Sequence, residues 1–199
     1  MWMKRSLIMS LTAIVTILSL IVTYNMLMVS ESKADTKFTY QKTVNAYTIE
    51  DVECLAKNIF FEAGTESMSG KLAVGLVTLN RVKSTKYPNT VCGVVTQGPI
   101  SKWHLENSGK EVPLRHRCQF SWYCDGKSDK ITPKKRESVN FQDSLKAAYK
   151  VLSGHYDGLV EDATHYHATY VDPFWRYHLT FIKQIDRHKF YRYETAKSL

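Results

Sequence analysis

Apolar residues at Val52, Leu55, Ala56, Ile59, Phe60 and Ala63 recur at the three-and-four spacing that lines one face of an α-helix. Thr48, three residues before Asp51, supplies an approximate N-cap for that helix, and Gly64 a stop. A second helix is predicted from about Ser69 to Lys83, with Leu72, Ala73, Leu76, Val77 and Leu79 facing inward, and Tyr87-Pro88-Asn89 marks the loop after it. From Thr96 to His116 the chain is polar and irregular. Gln119 to Tyr123 then reads as a short strand or aromatic loop turning at Asp125-Gly126, a candidate cleft wall. Residues 140–153 form a third helix through Phe141, Leu145, Ala148, Tyr149 and Leu152, ended by Gly154. Ala163 to Val171 and Gln184 to Arg192 alternate and are rich enough in β-branched and aromatic residues to be strands. The expected architecture is α+β: one mostly helical domain over residues 48–193 with a small sheet.

Ahead of that domain, Lys4 and Arg5 precede a stretch from Ser6 to Ser30 without a single charged residue. At about 25 residues it exceeds the apolar core of an ordinary signal peptide and is long enough to span a bilayer. Residues 1–30 are therefore expected to act as a signal peptide or a retained signal-anchor helix, with Lys4 and Arg5 cytoplasmic and the domain exported. Retention is the favoured version. Ser32-Lys33-Ala34 before Asp35 keeps cleavage open, since small residues occupy the positions a signal peptidase reads. Residues 31–47 are polar and read as a linker.

Of 199 residues, roughly 165 remain beyond the apolar segment, enough for a single core. With 44% hydrophobic and 23% charged residues, the disordered and low-complexity classes are excluded. An exported domain meets oxidising conditions, so Cys54, Cys92, Cys118 and Cys124 are expected to pair. Four cysteines allow three connectivities; Cys118 with Cys124 and Cys54 with Cys92 is the favoured pattern. A metal site joining them to His165 or His167 lacks any CxxC or HExxH spacing, and neither metal nor cofactor is expected. The net charge of +8 suits work beside anionic envelope polymers. It would equally suit a nucleic-acid binder, but Lys and Arg are scattered and no nucleic-acid motif accompanies them, so that partner is not expected. The densest run, Lys134-Lys135-Arg136, reads as a solvated surface.

Among candidate chemical groups Glu62 stands out on geometry. At about 100° per residue it falls beside Leu55, at the edge of the first helix's apolar stripe. It is expected to be partly desolvated. It also occupies the last turn, where the negative end of the helix dipole disfavours a carboxylate. Both effects raise its pKa, as a carboxylic acid that must donate a proton near neutral pH requires. A glutamate at the border of a helix face is, on this signal alone, also an ordinary surface residue.

The run Leu55-Ala-Lys-Asn-Ile-Phe-Phe-Glu-Ala-Gly-Thr-Glu66, continued by Gly70-Lys-Leu-Ala-Val-Gly-Leu-Val-Thr-Leu-Asn-Arg-Val82, resembles the cell-wall hydrolase family typified by the spore-cortex lytic enzyme SleB. Further blocks follow in that family's order. They are Tyr87-Pro-Asn-Thr-Val-Cys-Gly-Val-Val95, Cys118-Gln-Phe-Ser-Trp-Tyr-Cys-Asp-Gly126, Ala163-Thr-His-Tyr-His-Ala168, Pro173-Phe-Trp175 and Ile185-Asp-Arg-His-Lys-Phe-Tyr-Arg192. There are departures. Where the family commonly has Glu-Ala-Arg-Gly-Glu this chain has Glu62-Ala-Gly-Thr-Glu66, and the polar stretch from Gly98 to Arg117 looks longer than the family's.

The resemblance implies a lysozyme-like transglycosylase fold that takes peptidoglycan glycan strands as its partner, with Glu62 as the acid/base. It implies cleavage between N-acetylmuramic acid and N-acetylglucosamine. One carboxyl group suffices if the muramoyl 6-hydroxyl attacks its own anomeric carbon, whereas hydrolysis wants a second carboxylate. Glu66 would stand on the same wall as Glu62, leaving Asp125 and Asp162 as possible partners, so a hydrolysing muramidase stays open. A glycan-binding module without turnover is the third reading. Gln119, Ser121 and Trp122 are further candidates for substrate contact. Tyr166 is a candidate to orient Glu62, with His165 on the opposite strand face.

Overall fold

The structure is a computed structural model that describes residues 15–26 and 47–194. The chain divides into two compact units, residues 1–45 and 46–199. In the first, residues 15–26 are helical. Ser19 Oγ donates to the Thr16 carbonyl at 2.8 Å and Thr23 Oγ1 to the Leu20 carbonyl at 3.0 Å, so these hydroxyls are satisfied within the helix. No helix among the described residues is long and apolar enough to cross a membrane. The rest of the expected export segment and all of the expected linker except Tyr47 lie outside the described residues.

The second unit begins with α1 (Ile49–Ala63), whose start is fixed by a reciprocal capping box. Asp51 N donates to Thr48 Oγ1 at 3.1 Å, and Thr48 N to Asp51 Oδ2 at 2.9 Å. Helix α2 (Met68–Lys83) follows a turn capped by Ser67, and α3 (Val91–Val95) is a single turn. Helices α4 (Lys102–Ser108) and α5 (Pro133–Glu137) are short, and α6 (Val139–Leu152) ends before Gly154, whose φ of +76° a side-chain-bearing residue rarely adopts. Helices α1, α2 and α6 pack on one another. A Cβ at Gly75 would stand 3.0 Å from Ile59 and 3.1 Å from Val151, so the glycine permits the close approach of all three. Leu55, Ile59, Leu76, Phe141 and Val151 are fully buried between them.

Strands β1 (His165–Ala168), β2 (Thr180–Ile185) and β3 (His188–Arg192) form a three-stranded antiparallel sheet in the order β1-β3-β2. The α+β reading holds, with local corrections. The segment 184–192, expected as one strand, is a hairpin turning at Asp186 and Arg187. Asp186 takes a φ of +49° without being glycine, because its carboxylate is engaged by Ser67 Oγ at 2.6 Å and Ser67 N at 3.0 Å. The polar stretch from Thr96 to His116 contains α4 and a bridge between Ile100 and Pro113. Gln119 to Tyr123 is no strand: it runs into a 3₁₀ turn, Ser121–Cys124.

Two polar ties hold the sheet against the helices. Asn80 Nδ2 donates to the carbonyls of Glu161 and Ala163, both at 2.9 Å, and the buried Arg81 donates from Nε to the Thr164 carbonyl at 2.8 Å. Adjacent residues of α2 thus pin the segment that enters β1. Within the core, fully buried Asn58 donates to Thr78 Oγ1 at 3.1 Å and accepts from Trp122 Nε1 at 2.9 Å, joining α1, α2 and the 3₁₀ turn.

The cysteines pair in the favoured pattern: Cys54–Cys92 ties α1 to α3, and Cys118–Cys124 brackets the 3₁₀ turn. Thiol titration of the denatured, unreduced protein should find no free cysteine. Since closing a longer loop removes more entropy from the unfolded chain, replacing the pair separated by 38 residues with serines should cost more than replacing the pair separated by 6. Urea unfolding should show losses of about 4 and about 2 kcal/mol respectively. A larger loss from the short loop would contradict this account.

Candidate active site

A cavity of about 720 Å³ opens where the end of α1, the 3₁₀ turn and β1 meet. This is within the usual range for a ligand pocket, roughly 300–1,000 Å³. Glu62 lines it, one turn beyond Asn58 on the same face of α1. The residue keeps partial exposure while its carboxyl group sits deep. Helix α1 ends at Ala63, and the next residue, Gly64, lies so close to the Phe60 carbonyl oxygen that a Cβ could not be accommodated there.

Tyr166 Oη donates to Glu62 Oε2 at 2.9 Å. Strand alternation sends Tyr166 toward α1 and His165 the other way, against Trp175 and Tyr193. Burial pushes the Glu62 carboxyl above the ordinary glutamate range, and the Tyr166 hydrogen bond and the Arg81 charge offset only part of that rise. Burial, reinforced by the Glu62 charge, holds the Tyr166 phenol well above its usual pKa, so it remains a donor. The two groups share one hydrogen bond, with Glu62 Oε2 as its acceptor and Oε1 left clear of it. His165 is lowered to about 4 by burial and then by the charges of Arg81 and Lys86, and is neutral.

His167 and His188 also line the cavity. His167 Nδ1 lies 2.9 Å from the Ala168 carbonyl, which can only accept, so Nδ1 carries a proton, and Nε2 shares a hydrogen bond with Tyr191 Oη at 3.0 Å. His188 packs its ring edge-on to Tyr166 at 5.2 Å, and burial lowers its pKa. Tyr170, 85% exposed, presents an uncovered ring at the rim.

The other candidates divide. Ser121 is exposed and lines the cavity. Trp122 lines it as well but is no free stacking platform: it is 8% exposed, stacks on Phe61 with ring centres 4.6 Å apart, and is tied to Asn58. Gln119 is exposed and outside the cavity lining, its backbone N–H bonded to the Gln97 carbonyl. Glu66 is ion-paired where Glu62 is not: Arg187 Nε donates to it at 2.7 Å, and its side chain is only 6% exposed. Asp162 pairs with Arg192 at 3.1 Å and lines a different cavity with Asn80, Lys86 and Tyr193. Asp125 does line the Glu62 cavity, with Lys127 as its partner at 3.5 Å.

Asp129 and Lys135 also line this cavity, and no pattern in the sequence singled them out. Lys135 belongs to the run expected to be a solvated surface. It is half-buried instead, its ammonium 5.5 Å from the centre of the Phe61 ring, while its neighbour Arg136 pairs with Glu53.

The family described as Cell Wall Hydrolase matches residues 65–191, beginning just after Glu62. A spore cortex-lytic enzyme of Bacillus cereus is 41% identical over 51 residues, 26% of this chain and 20% of that enzyme. A spore cortex-lytic enzyme of Oceanobacillus iheyensis is 39% identical over 49 residues, 25% of this chain and 18% of the other. The chain thus aligns with about a fifth of the length of these curated relatives. Among solved structures, the catalytic domain of the germination-specific lytic transglycosylase SleB from Bacillus anthracis superposes with a TM-score of 0.53 at 23% identity. That match covers 74% of this chain and 98% of that one, and it shows a shared fold.

The buried carboxyl makes a prediction about stability. A glutamate whose pKa is raised by folding favours the native state below its unfolded pKa and progressively disfavours it as pH climbs past that value. Glu62→Gln keeps an acceptor for Tyr166 and removes the titration. Its melting temperature should therefore exceed that of the parent at about pH 7, and the gap should close near about pH 4, the ordinary glutamate range. Thermal unfolding at the two pH values checks this, and a gap that widens on acidification would contradict it.

Proposed function

The chain belongs to the cell wall hydrolase family, and from that premise we propose that it cleaves peptidoglycan glycan strands between N-acetylmuramic acid and N-acetylglucosamine, as a lytic transglycosylase with Glu62 as acid and base. The observation that carries this reading is the Glu62 carboxyl itself, set deep in the cavity, raised in pKa by burial and received by one neutral donor.

The chemistry needs one proton carrier used twice. With Tyr166 bonded to Oε2, the acid proton resides on Oε1 and passes to the glycosidic oxygen as the bond to the muramoyl anomeric carbon breaks. The resulting Glu62 carboxylate takes the proton of the muramoyl 6-hydroxyl as its oxygen closes onto the anomeric carbon. The product is a 1,6-anhydro ring, and Glu62 is protonated again. The Tyr166 hydrogen bond, which favours the charged carboxylate, supports the stage between the two transfers. No water is consumed.

A hydrolysing muramidase is the second reading, supported by Asp125 and Asp129, whose carboxyl groups line the same cavity. Product analysis separates the two. Mass spectrometry of digested peptidoglycan should find 1,6-anhydromuramoyl ends; reducing muramic ends would make the enzyme a muramidase with Glu62 still its acid. General acid/base catalysis contributes typically about 10² to 10⁴-fold, so Glu62→Gln should lose at least that much turnover while still binding glycan, and Glu66→Gln much less. Near-normal turnover by Glu62→Gln would remove the assignment.

Residues 1–30 would deliver the domain across the inner membrane and hold it there, facing the periplasm and its substrate. This rests on the uncharged stretch from Ser6 to Ser30. Fractionation should find the chain with the membrane. A soluble mature form whose N-terminal sequence starts at Asp35 would replace anchoring with release and leave export intact.

A further inference from the structure

Tyr170 and Val171 line the rim of the Glu62 cavity, and the chain leaves it through Asp172 into a second 3₁₀ turn, Phe174–His178. Trp175 clamps that turn to the sheet. Its ring centre lies 5.4 Å from that of His165, 5.7 Å from that of Tyr191 and 5.6 Å from that of His167, which also lines the cavity. With Trp175 turned inward, Phe174 and Tyr177 are left 77% and 62% exposed, their ring centres 6.3 Å apart. A polar brace fixes them. Asp172 accepts from Arg176 Nε and, at 3.2 Å, from Tyr177 Oη, which in turn accepts from Arg176 Nη2 at 2.9 Å. The residue that holds the Tyr177 ring is thus the immediate neighbour of Val171 in the cavity lining.

Single exposed rings are ordinary on a protein surface. Two neighbouring rings, braced and continuous with a cavity, are not, because each leaves apolar area in water that coverage would remove. Rings already immobilised also lose little entropy when covered. A cavity of about 720 Å³ encloses a ligand of drug size, so a polymer seated in it must continue across its rim. The braced turn suits a sugar and not a lipid. A pyranose offers an apolar C–H face to a ring and hydroxyls to Asp172 and Arg176, whereas acyl chains would bury that ion pair with nothing to satisfy its remaining donors and acceptors. Resting on the glycan reading above, we propose that Phe174 and Tyr177 form a second contact surface for the strand, on which a pyranose ring outside the cavity stacks. The surface lengthens the site and makes long strands the preferred substrate.

The test is equilibrium binding by the full chain carrying Glu62→Gln, so that cleavage does not enter. The probes are a tetrasaccharide and a dodecasaccharide of alternating N-acetylglucosamine and N-acetylmuramic acid without peptide. Adding Phe174→Ala and Tyr177→Ala should weaken binding of the dodecasaccharide roughly threefold to thirtyfold, and that of the tetrasaccharide less than about twofold. Since both rings are exposed, the urea midpoint should stay at the parent's value. Phe174→Trp, with Tyr177 intact, should keep the parent's affinity. Its emission, read as the difference from the parent's, should shift to the blue with the dodecasaccharide and not with the tetrasaccharide. A dodecasaccharide affinity unchanged by the double alanine substitution would overturn the inference, as would equal weakening of both probes. A shift with vesicles of mixed zwitterionic and anionic phospholipid, and none with the dodecasaccharide, would overturn it in favour of a membrane. Binding of neither saccharide by the Glu62→Gln protein would refute the glycan reading itself, and this inference with it.

Discussion

A carboxyl group held out of water at the end of a helix, with a single phenol to receive it, is the constraint to which the rest of the domain answers. Burying an ionised carboxylate costs far more than one hydrogen bond returns, so burial favours the protonated form of the group. That arrangement survives only if Glu62 and Tyr166, on different elements and 104 residues apart, are held at bonding distance by something other than their own bond. Two ties supply this. Asn80 and Arg81 fasten α2 to residues 161–164 at the entrance to β1, while Asp186 and Arg187, at the tip of the β2–β3 hairpin, grip Ser67, Glu66 and Thr65 just beyond α1. The sheet is therefore anchored on both sides of the bond it delivers.

The contrast between Glu62 and Glu66 shows how context divides the work between identical residues. Four positions apart, they would share a face had the helix continued. The chain instead leaves the helix after Ala63, and Glu66 swings to Arg187. One carboxyl group meets a guanidinium and ties the hairpin; the other is raised in pKa by burial and meets a phenol. The departure from the family pattern, with glycine at position 64 rather than arginine, falls at this point. A guanidinium reaches the helix end nonetheless, from Arg187 on the hairpin, which donates to Thr65 Oγ1 at 2.8 Å.

Much of this was legible in the sequence because it depends on local periodicity. The three long helices, the Thr48 cap and the position of Glu62 at the stripe's edge all follow from side-chain spacing along one helix. The alternation that separates Tyr166 from His165 follows from the strand period in the same way. What escaped is set by distant partners. The turn at Asp186 carries no glycine, proline or asparagine signal, since its left-handed backbone is stabilised by Ser67 from another element. Helices of five and seven residues are too short for a periodic signature. Lys135 looked like a solvated charge because nothing near it in sequence reveals that Phe61 lies beneath it. Gln119 sits in a block that resembles the family's, yet resemblance of a block does not aim each side chain, and this one points elsewhere.

The acid and the aromatic pair beside it share one element, and this links the cavity wall to the chemistry. Helix α1 carries two parallel rows at i, i+4 spacing: Lys57 with Phe61, and Asn58 with Glu62. Asn58 holds the Trp122 indole N–H, Trp122 stacks on Phe61, and Lys57 lies over Trp122. The ring floor therefore cannot shift without breaking a fully buried hydrogen bond one turn from the acid, at a cost of about 1–3 kcal/mol for the donor left unpaired. A glycan strand resting against the cavity wall that these residues hold is placed relative to Glu62 as well. Since proton transfer requires the reacting oxygen within hydrogen-bond reach, contacts made several ångströms from the scissile bond become contacts that place it.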